Sequence, residues 1–447
     1  MQYSDPQARA GAWRRLRAAL ATVPLMSWLV GALVAVLLEH FIGESLAEGL
    51  GLRKIPVLFG INTTFKAIAE LIDGLFGSKT LDLGVLWQIP AALAYTLAVY
   101  VVPMGLIMRF TRGVANALAG GLLRMPMIVS ALLHLVVLYV VLHYWTDLSD
   151  YRLITLKLIL VSILLTLSLN LINGYMGEFS CSHPGFMALG AYMASVFSLW
   201  LFTNDRMFGE AVFSTGAATF FFPVGLFFGG LAAAAGALLV AIPSFKTRGD
   251  YLAIISLAFL FIVKSFLENL ELVGGPRGLS SQPDCASLPM VFGVVVFGVW
   301  VMNNFVTSTL GKAMNAVRDD ESAAEAMTVD TRSTKMQAFL FGAFWAGVAG
   351  GLFAHIMRYI SPAMFGLQNL AETLAMVYFG GLNSVYGSIV GAVSISVLSE
   401  ALRPLQILKW ICIPLLLILV MIYRPRGLVS FKEFNVRKML SPRGERA

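Results

Sequence analysis

The chain has 447 residues, of which 58% are hydrophobic and only 13% charged, with a mean hydropathy of +0.79 and a formal net charge of +7. Soluble domains sit near 45–50% apolar and about 25% charged, so no soluble core could absorb this surface. The composition predicts an all-α, polytopic integral membrane protein with about ten to twelve transmembrane helices. The positive charge fits Lys and Arg concentrated in cytoplasmic loops, and no basic patch interleaved with aromatics points to nucleic acid. Cys181, Cys285 and Cys412 have no CxxC spacing and the five histidines are scattered, so neither a disulfide framework nor a metal site is expected.

Arg9, Arg14, Arg15 and Arg17 precede an apolar run over 24–42. The run is long for a signal h-region and no clear Ala-x-Ala site follows, which predicts a retained first span with its N-terminus inside. Residues 44–82 mix Lys54, Lys66, Glu70, Asp73 and Lys79 with apolar positions, as in an external segment that is partly an interfacial helix. Further spans are expected at 83–108, 125–145, 153–173, 184–202, 219–243, 251–271, 290–309, 337–357, 368–382, 386–402 and 407–423. The run at 368–382 is short enough to be re-entrant. If all of them cross, the basic segments at 109–124 (Arg109, Arg112, Arg124), 244–250 (Lys246, Arg248), 310–336 and the tail from Arg424 (Arg426, Lys432, Arg437, Lys438, Arg443) share one side. The pattern divides into N-terminal peripheral spans with an external segment (1–152), a core (153–430) and a basic cytoplasmic tail (431–447).

Glycine and proline punctuate the core in three places. The first, from Asn173 to Gly190, contains Gly174, Ser180, His183, Gly185 and Gly190. Irregular backbone at membrane depth must be buried in protein or line a cavity, which would turn Glu178, Ser180, Ser182 and His183 toward that cavity. The other reading is a cytoplasmic turn followed by a span with small packing residues. The second, Val273-Gly-Gly-Pro-Arg-Gly278, puts Gly274 and Gly275 on the outer side. It follows a span that opens with Asp250 and carries Lys264 and Glu268 four residues apart, placed either to pair or to snorkel. The third runs from Tyr378 to Gly391, where Gly380 and Gly381 permit close approach, with Glu372 just before it as an intramembrane carboxylate. His134, Lys157, His355 and Glu400 are single polar residues in apolar runs, expected at packing or interface positions.

Between two spans lies the most charged internal segment, Leu310 to Lys335, with Lys312, Arg318, Asp319, Asp320, Glu321, Glu325, Asp330, Arg332 and Lys335. Met314, Ala323, Ala324, Ala326 and Met327 sit among these charges at near-helical spacing. Such a segment must lie in water. It is either a helix that docks another protein with one small-residue face and one charged face, or a solvated connector. No Walker A, HExxH or GxSxG motif occurs, so the chain carries neither a phosphate-binding loop nor a hydrolytic centre of those kinds.

RGDYLAIISLAF at 248–259, GGPRGL at 274–279, AVRDDESAAEAM at 316–327 and YRPRGL at 423–428, in that order, resemble the LivM permeases, membrane subunits of ABC importers for branched-chain amino acids. The resemblance covers about 153–430 and implies a passive permease in the bacterial inner membrane. It implies a LivH-like second permease, two cytoplasmic ABC ATPase subunits that hold ATP-Mg, and a periplasmic substrate-binding protein, with no cofactor on this chain. It also implies that the charged segment is a coupling loop, with Arg318, Asp319, Glu321, Ala324 and Glu325 at the ATPase contact. The chain departs from the family's usual Gly-Gln-Leu-Ser-Leu-Gly-His-Ala at Glu178, Ser182 and Pro184. Alternatives are a urea or short-chain amide permease of the same family, an ion-driven secondary transporter, and a scaffold. Scattered single charges and the lack of a convincing inverted repeat weigh against the ion-driven reading.

Overall fold

A computed structural model describes residues 23–52, 55–56, 60–76, 85–122, 126–203, 209–245, 251–424, 427–429 and 436–440. The arginines before residue 18, Lys54, Lys79, Arg124, Lys246, Arg248, Asp250, Arg426, Lys432 and Arg443 lie outside the described residues. Among the described residues nine helices are long and apolar enough to cross a membrane, and two shorter apolar helices follow. The only strands there are two residues each, so the fold is all-α.

The chain forms two compact units. Unit 1 comprises residues 1–153 with 401–405 and 435–447. Its helices are α1 (Leu25–Gly49), α2 (Ile61–Phe76), α3 (Val85–Thr96), α4 (Val102–Leu122) and α5 (Met127–Asp147), and the short C-terminal helix Val436–Leu440 also belongs to it. A π-helical turn, Leu97–Val101, makes α3 and α4 one continuous 36-residue span from Trp87 to Leu122. The segment at 109–124, expected as a loop, is therefore helical as far as Leu122, with Arg109 and Arg112 exposed on its surface. Gly113 and Gly120 lie within it without ending the helix, and Arg is a good helix former. Ala35, Val36, Tyr95, Val99 and Val141 form the core. At its centre Glu39 is fully buried and meets the Arg152 guanidinium at two points, Nη1 to Oε2 and Nη2 to Oε1, each 2.9 Å. Tyr95 donates to Glu39 Oε1 (3.3 Å), Tyr100 donates to Oε2, Arg152 donates to Pro56 O (3.2 Å), and the guanidinium stacks over Trp145.

Unit 2 comprises 154–400 and 406–434. Its helices are α6 (Asp150–Asn170, which begins in unit 1), α7 (His183–Phe202), α8 (Ala218–Ser244), α9 (Tyr251–Asn269), α10 (Leu288–Thr307), α11 (Thr309–Asp319), α12 (Glu321–Ala326), α13 (Thr331–Met357), α14 (Leu367–Gly380), α15 (Val385–Ala401) and α16 (Lys409–Tyr423). A π-helical turn, Leu171–Met176, extends α6. α7, α8 and α13 pack most intimately, through glycine and alanine, as expected where lipid gives helices no hydrophobic reason to associate and close backbone approach must do so. Their outer faces carry exposed apolar side chains such as Phe220, Leu239 and, on α9, Ile254, the surface a lipid solvent requires.

Contacts order unit 2 into two ends. At one end Leu279–Ser280 (β1) pairs antiparallel with Tyr359–Ile360 (β2), and Tyr359 donates to Arg277 O (3.0 Å). At the other end the turn after α14 meets the end of α6, with Asn170 Nδ2 donating to Ser384 O (3.1 Å) and the Asn383 amide donating to Asn170 Oδ1 (3.2 Å). The segment between α10 and α13 and the stretch after α16 also reach this second end, where Leu428 and Val429 donate to Phe379 O and Gly380 O. It carries Lys312, Arg318, Arg332, Lys335 and Arg424, and is the side that the positive-inside bias expects in the cytoplasm.

Two stretches of irregular backbone lie inside this bundle. Residues 177–182 are non-helical, and Cys181 among them packs with Leu260 of mid-α9 and Leu370 of α14. The 3₁₀ turn Pro362–Phe365 is also inside, Phe365 lying 6.4 Å ring to ring from Tyr192 of α7. Consequently α14 starts within the bundle, which explains why it has 14 residues against the roughly 20 of a full span.

Candidate functional site

The charged segment folds as two short helices with three polar corners. Ser308 ends α10 and caps α11 by accepting the Gly311 N–H. Asp320 takes an extended conformation, ends α11 and caps α12 by accepting the Ala323 N–H at 2.9 Å. Asp330 caps α13 by accepting the Ser333 N–H at 2.9 Å. Each side-chain oxygen satisfies an amide that has no partner within its helix, so the sequence sets every corner. The single amphipathic helix expected over this segment is therefore broken at Asp320. Met314 and Val317 bury one side of α11.

Charge ties this hairpin to the irregular stretch after α6. Lys335 Nζ lies 2.7 Å from Glu178 Oε1 and 2.9 Å from Glu321 Oε2. Arg318 crosses Gly177, donates to Gly174 O (3.3 Å) and pairs with the neighbouring Asp319 (2.8 Å). Gly177 has φ +79, and a Cβ there would overlap the Arg318 side chain, so the chain can turn here only as glycine. Gly174, expected as a break, lies within the π-helical turn, and the helix ends at Gly177 instead. α11, α12, the start of α13 and residues 174–178 thus form one charged elbow. Glu178, expected to face a cavity, is held in it by Lys335. A charge run indicates water but not which lysine reaches which carboxylate, and that pairing was not readable from the sequence.

Of the residues expected at a partner contact, Asp319 and Glu321 have side chains 69% and 49% exposed, Glu325 is exposed and Arg318 is partly covered. Ala324 corrects the expectation. It is 5% exposed and turned into the hairpin, because α12 is a single capped turn or so whose inner position it occupies. Its small size serves the chain's own packing. Ala323, Ala326 and Met327, the last 77% exposed, form the outward apolar face instead.

Inside the bundle Ser180, Ser182 and His183 are fully buried. Ser180 and Ser182 hydroxyls lie 2.8 Å apart, the Ser180 N–H donates to Asn173 Oδ1 (3.2 Å), the Cys181 N–H donates to Ser256 Oγ (2.9 Å), and His183 packs edge-on against Phe186. The two serines and the backbone amides are met within the protein, as irregular backbone in lipid demands, while both ring nitrogens of His183 are buried without a hydrogen-bond partner. Gly185 faces Phe259 of α9, and Gly190 abuts the backbone of Gly347 on α13, where a Cβ would overlap Gly347 itself. Gly274 and Gly275 shape the outer turn before β1. Gly380 lies against Gly387 and Gly391, and Gly381 against Gly427, in the second cytoplasmic turn. Lys264 and Glu268 pair at 3.8 Å, about one-third exposed. His134 and His355 are buried, each bonded through Nδ1 to a carbonyl one turn back, Ser130 O (2.7 Å) and Gly351 O (2.8 Å), and His355 Nε2 lies 2.9 Å from Ser198 Oγ.

Residues 151–423 match the family model described as branched-chain amino acid transport system / permease component. The chain is similar to the high-affinity branched-chain amino acid transport system permease protein LivM of Escherichia coli (strain K12), 29% identical over 330 residues that make up 65% of this chain and 73% of that relative. It is equally similar to the protein of that name from Salmonella typhimurium, 29% identical over 328 residues, 64% of this chain and 72% of the relative. No solved structure matches the chain. An all-α polytopic bundle with a charged elbow, matched by the family model across its core, belongs to the branched-chain amino acid permease components.

Proposed function

We propose that this chain is a translocation subunit of an ABC importer for branched-chain amino acids in the bacterial inner membrane. It pairs with a LivH-like permease, receives substrate from a periplasmic binding protein, and is driven by two cytoplasmic ATPase subunits that bind ATP-Mg. The observation that carries the reading is the elbow. A partner pushing on the exposed face of α11–α12 moves, through Lys335 and Arg318, the irregular stretch at 174–182 that starts α7. No catalytic residue is needed in such a subunit, only a bundle with two arrangements whose populations the partner biases. Family membership favours this over the ion-driven reading and the scaffold.

The test is uptake of radiolabelled leucine into vesicles holding the four-component complex. Uptake that needs ATP on the cytoplasmic face and binding protein on the other, and that survives a protonophore, is expected. Uptake driven by an ion gradient without ATP, or a preference for urea or short amides over leucine, overturns the reading.

A further inference from the structure

Unit 2 contains a cavity of about 250 Å³ lined by α6, α7, α13, α14, α15 and α16. Its α6 wall comes from the middle of that helix, residues 155–165, and its α15 wall from Ser396, Ser399 and Glu400, the end of α15 opposite the one where Ser384 meets Asn170, so the cavity lies toward the side away from the elbow. Met187 and Asn369 line it, each in the first turns of a helix that starts inside the bundle. Irregular backbone at membrane depth is tolerated where it borders such a space.

Three ionisable side chains line the cavity, Glu372, Glu400 and Lys409, and two of them, Glu372 and Lys409, form an opposed pair. Lys409 Nζ lies 2.8 Å from Glu372 Oε1, with side chains 20% and 26% exposed, and Ser399 donates to the same oxygen at 3.1 Å. Ser396 Oγ, on the same wall, is buried without a hydrogen-bond partner. Ile159, Phe353 and Met376 supply apolar wall beside these groups. A charge pair placed in a membrane-embedded cavity is costly unless it serves a ligand or a fixed contact.

We infer that Glu372 and Lys409 form a zwitterion site on the outer side of the permease, the carboxylate receiving a ligand α-ammonium and the ammonium a ligand α-carboxylate. The pair opens and the ligand enters between its members, so one internal ion pair becomes two pairs to the ligand. The ligand is itself neutral, so the cavity's net charge is unchanged. A zwitterion keeps both Glu372 and Lys409 matched, whereas a ligand with only one of the two charges strands one of them in low dielectric. The apolar wall takes the side chain. The inference rests on the importer reading for the direction of delivery, but the site itself is defined by the cavity.

The experiment measures equilibrium binding to the purified permease–ATPase complex without binding protein, using leucine, leucinamide (no carboxylate) and 4-methylpentanoate (no ammonium). The wild-type complex should bind leucine at least tenfold tighter than either analogue. Lys409→Met should lower leucine affinity about tenfold and abolish the discrimination against leucinamide only. Glu372→Gln should abolish the discrimination against 4-methylpentanoate only. A merely structural pair would shift all three ligands together or none, and that outcome overturns the inference, as does a wild-type complex that binds no leucine while still importing it. Failure of ATP-driven leucine uptake in the wild type would instead overturn the importer reading.

Discussion

Two ion-pair clusters in this chain use the same chemistry for different ends. Glu39 and Arg152 in unit 1 are at most 2% exposed, are joined at two points, and have their remaining hydrogen bonds met by Tyr95, Tyr100 and Pro56. Lys335 in unit 2 bridges two carboxylates whose side chains are 25% and 49% exposed. Neither Glu39 nor Arg152 can move alone without stranding the other in low dielectric, so the first cluster fixes an arrangement. Water competes for every member of the second, so its pairs can part and re-form at small cost. In the proposed importer an element that follows a partner's movement needs the second kind, and the elbow is built that way.

The comparison breaks most sharply at Arg152. Arg152→Met leaves Glu39 buried and unpaired, and a loss of about 3–5 kcal/mol is expected, read as a large fall in the melting temperature of the detergent-purified chain. A variant that melts like the parent would show that water reaches the pair. Next comes the seam between α7 and α13, where no charge is involved. Gly190→Leu forces side-chain atoms into the Gly347 backbone, at about 1–3 kcal/mol or more, and should lower the yield of folded protein; normal yield and uptake would mean that the seam opens freely. Lys335→Met removes both pairs of the elbow and should cost only about 1 kcal/mol of stability, yet uncouple ATP hydrolysis from uptake. Smallest is Glu325→Arg, at an exposed position with no fixed partner. It should leave stability unchanged to within about 0.5 kcal/mol and weaken ATPase copurification modestly, mostly at low salt.

Much of this was legible in the sequence, because lipid makes the rules strict. Apolar runs had to be helices, and the run of nine charges from Lys312 to Lys335 could not be in hydrocarbon, although the break at Asp320 was not read from it. Glycine positions in α7 and after α14 marked close approach, and the backbones do meet at Gly190 and Gly380. Long-range pairings were not legible. Glu39 and Arg152 lie 113 residues apart, and nothing local marks either as the other's partner. Ala324 read as a docking residue because spacing alone does not say which side of a short helix faces inward. The continuation of α4 past Arg109 was obscured because basic residues were taken to end the span, although an arginine can remain helical beyond the membrane edge.

The claim that the elbow transmits the partner's movement is tested most directly by exchanging its charges. Lys335→Glu should leave the ATPase subunits bound and hydrolysing ATP while leucine uptake falls at least tenfold, because like charges then separate the hairpin from Glu178. Adding Glu178→Lys should restore much of the uptake by re-forming the pair in reverse. Full uptake in the single Lys335→Glu variant, or no recovery in the double variant, would contradict the account.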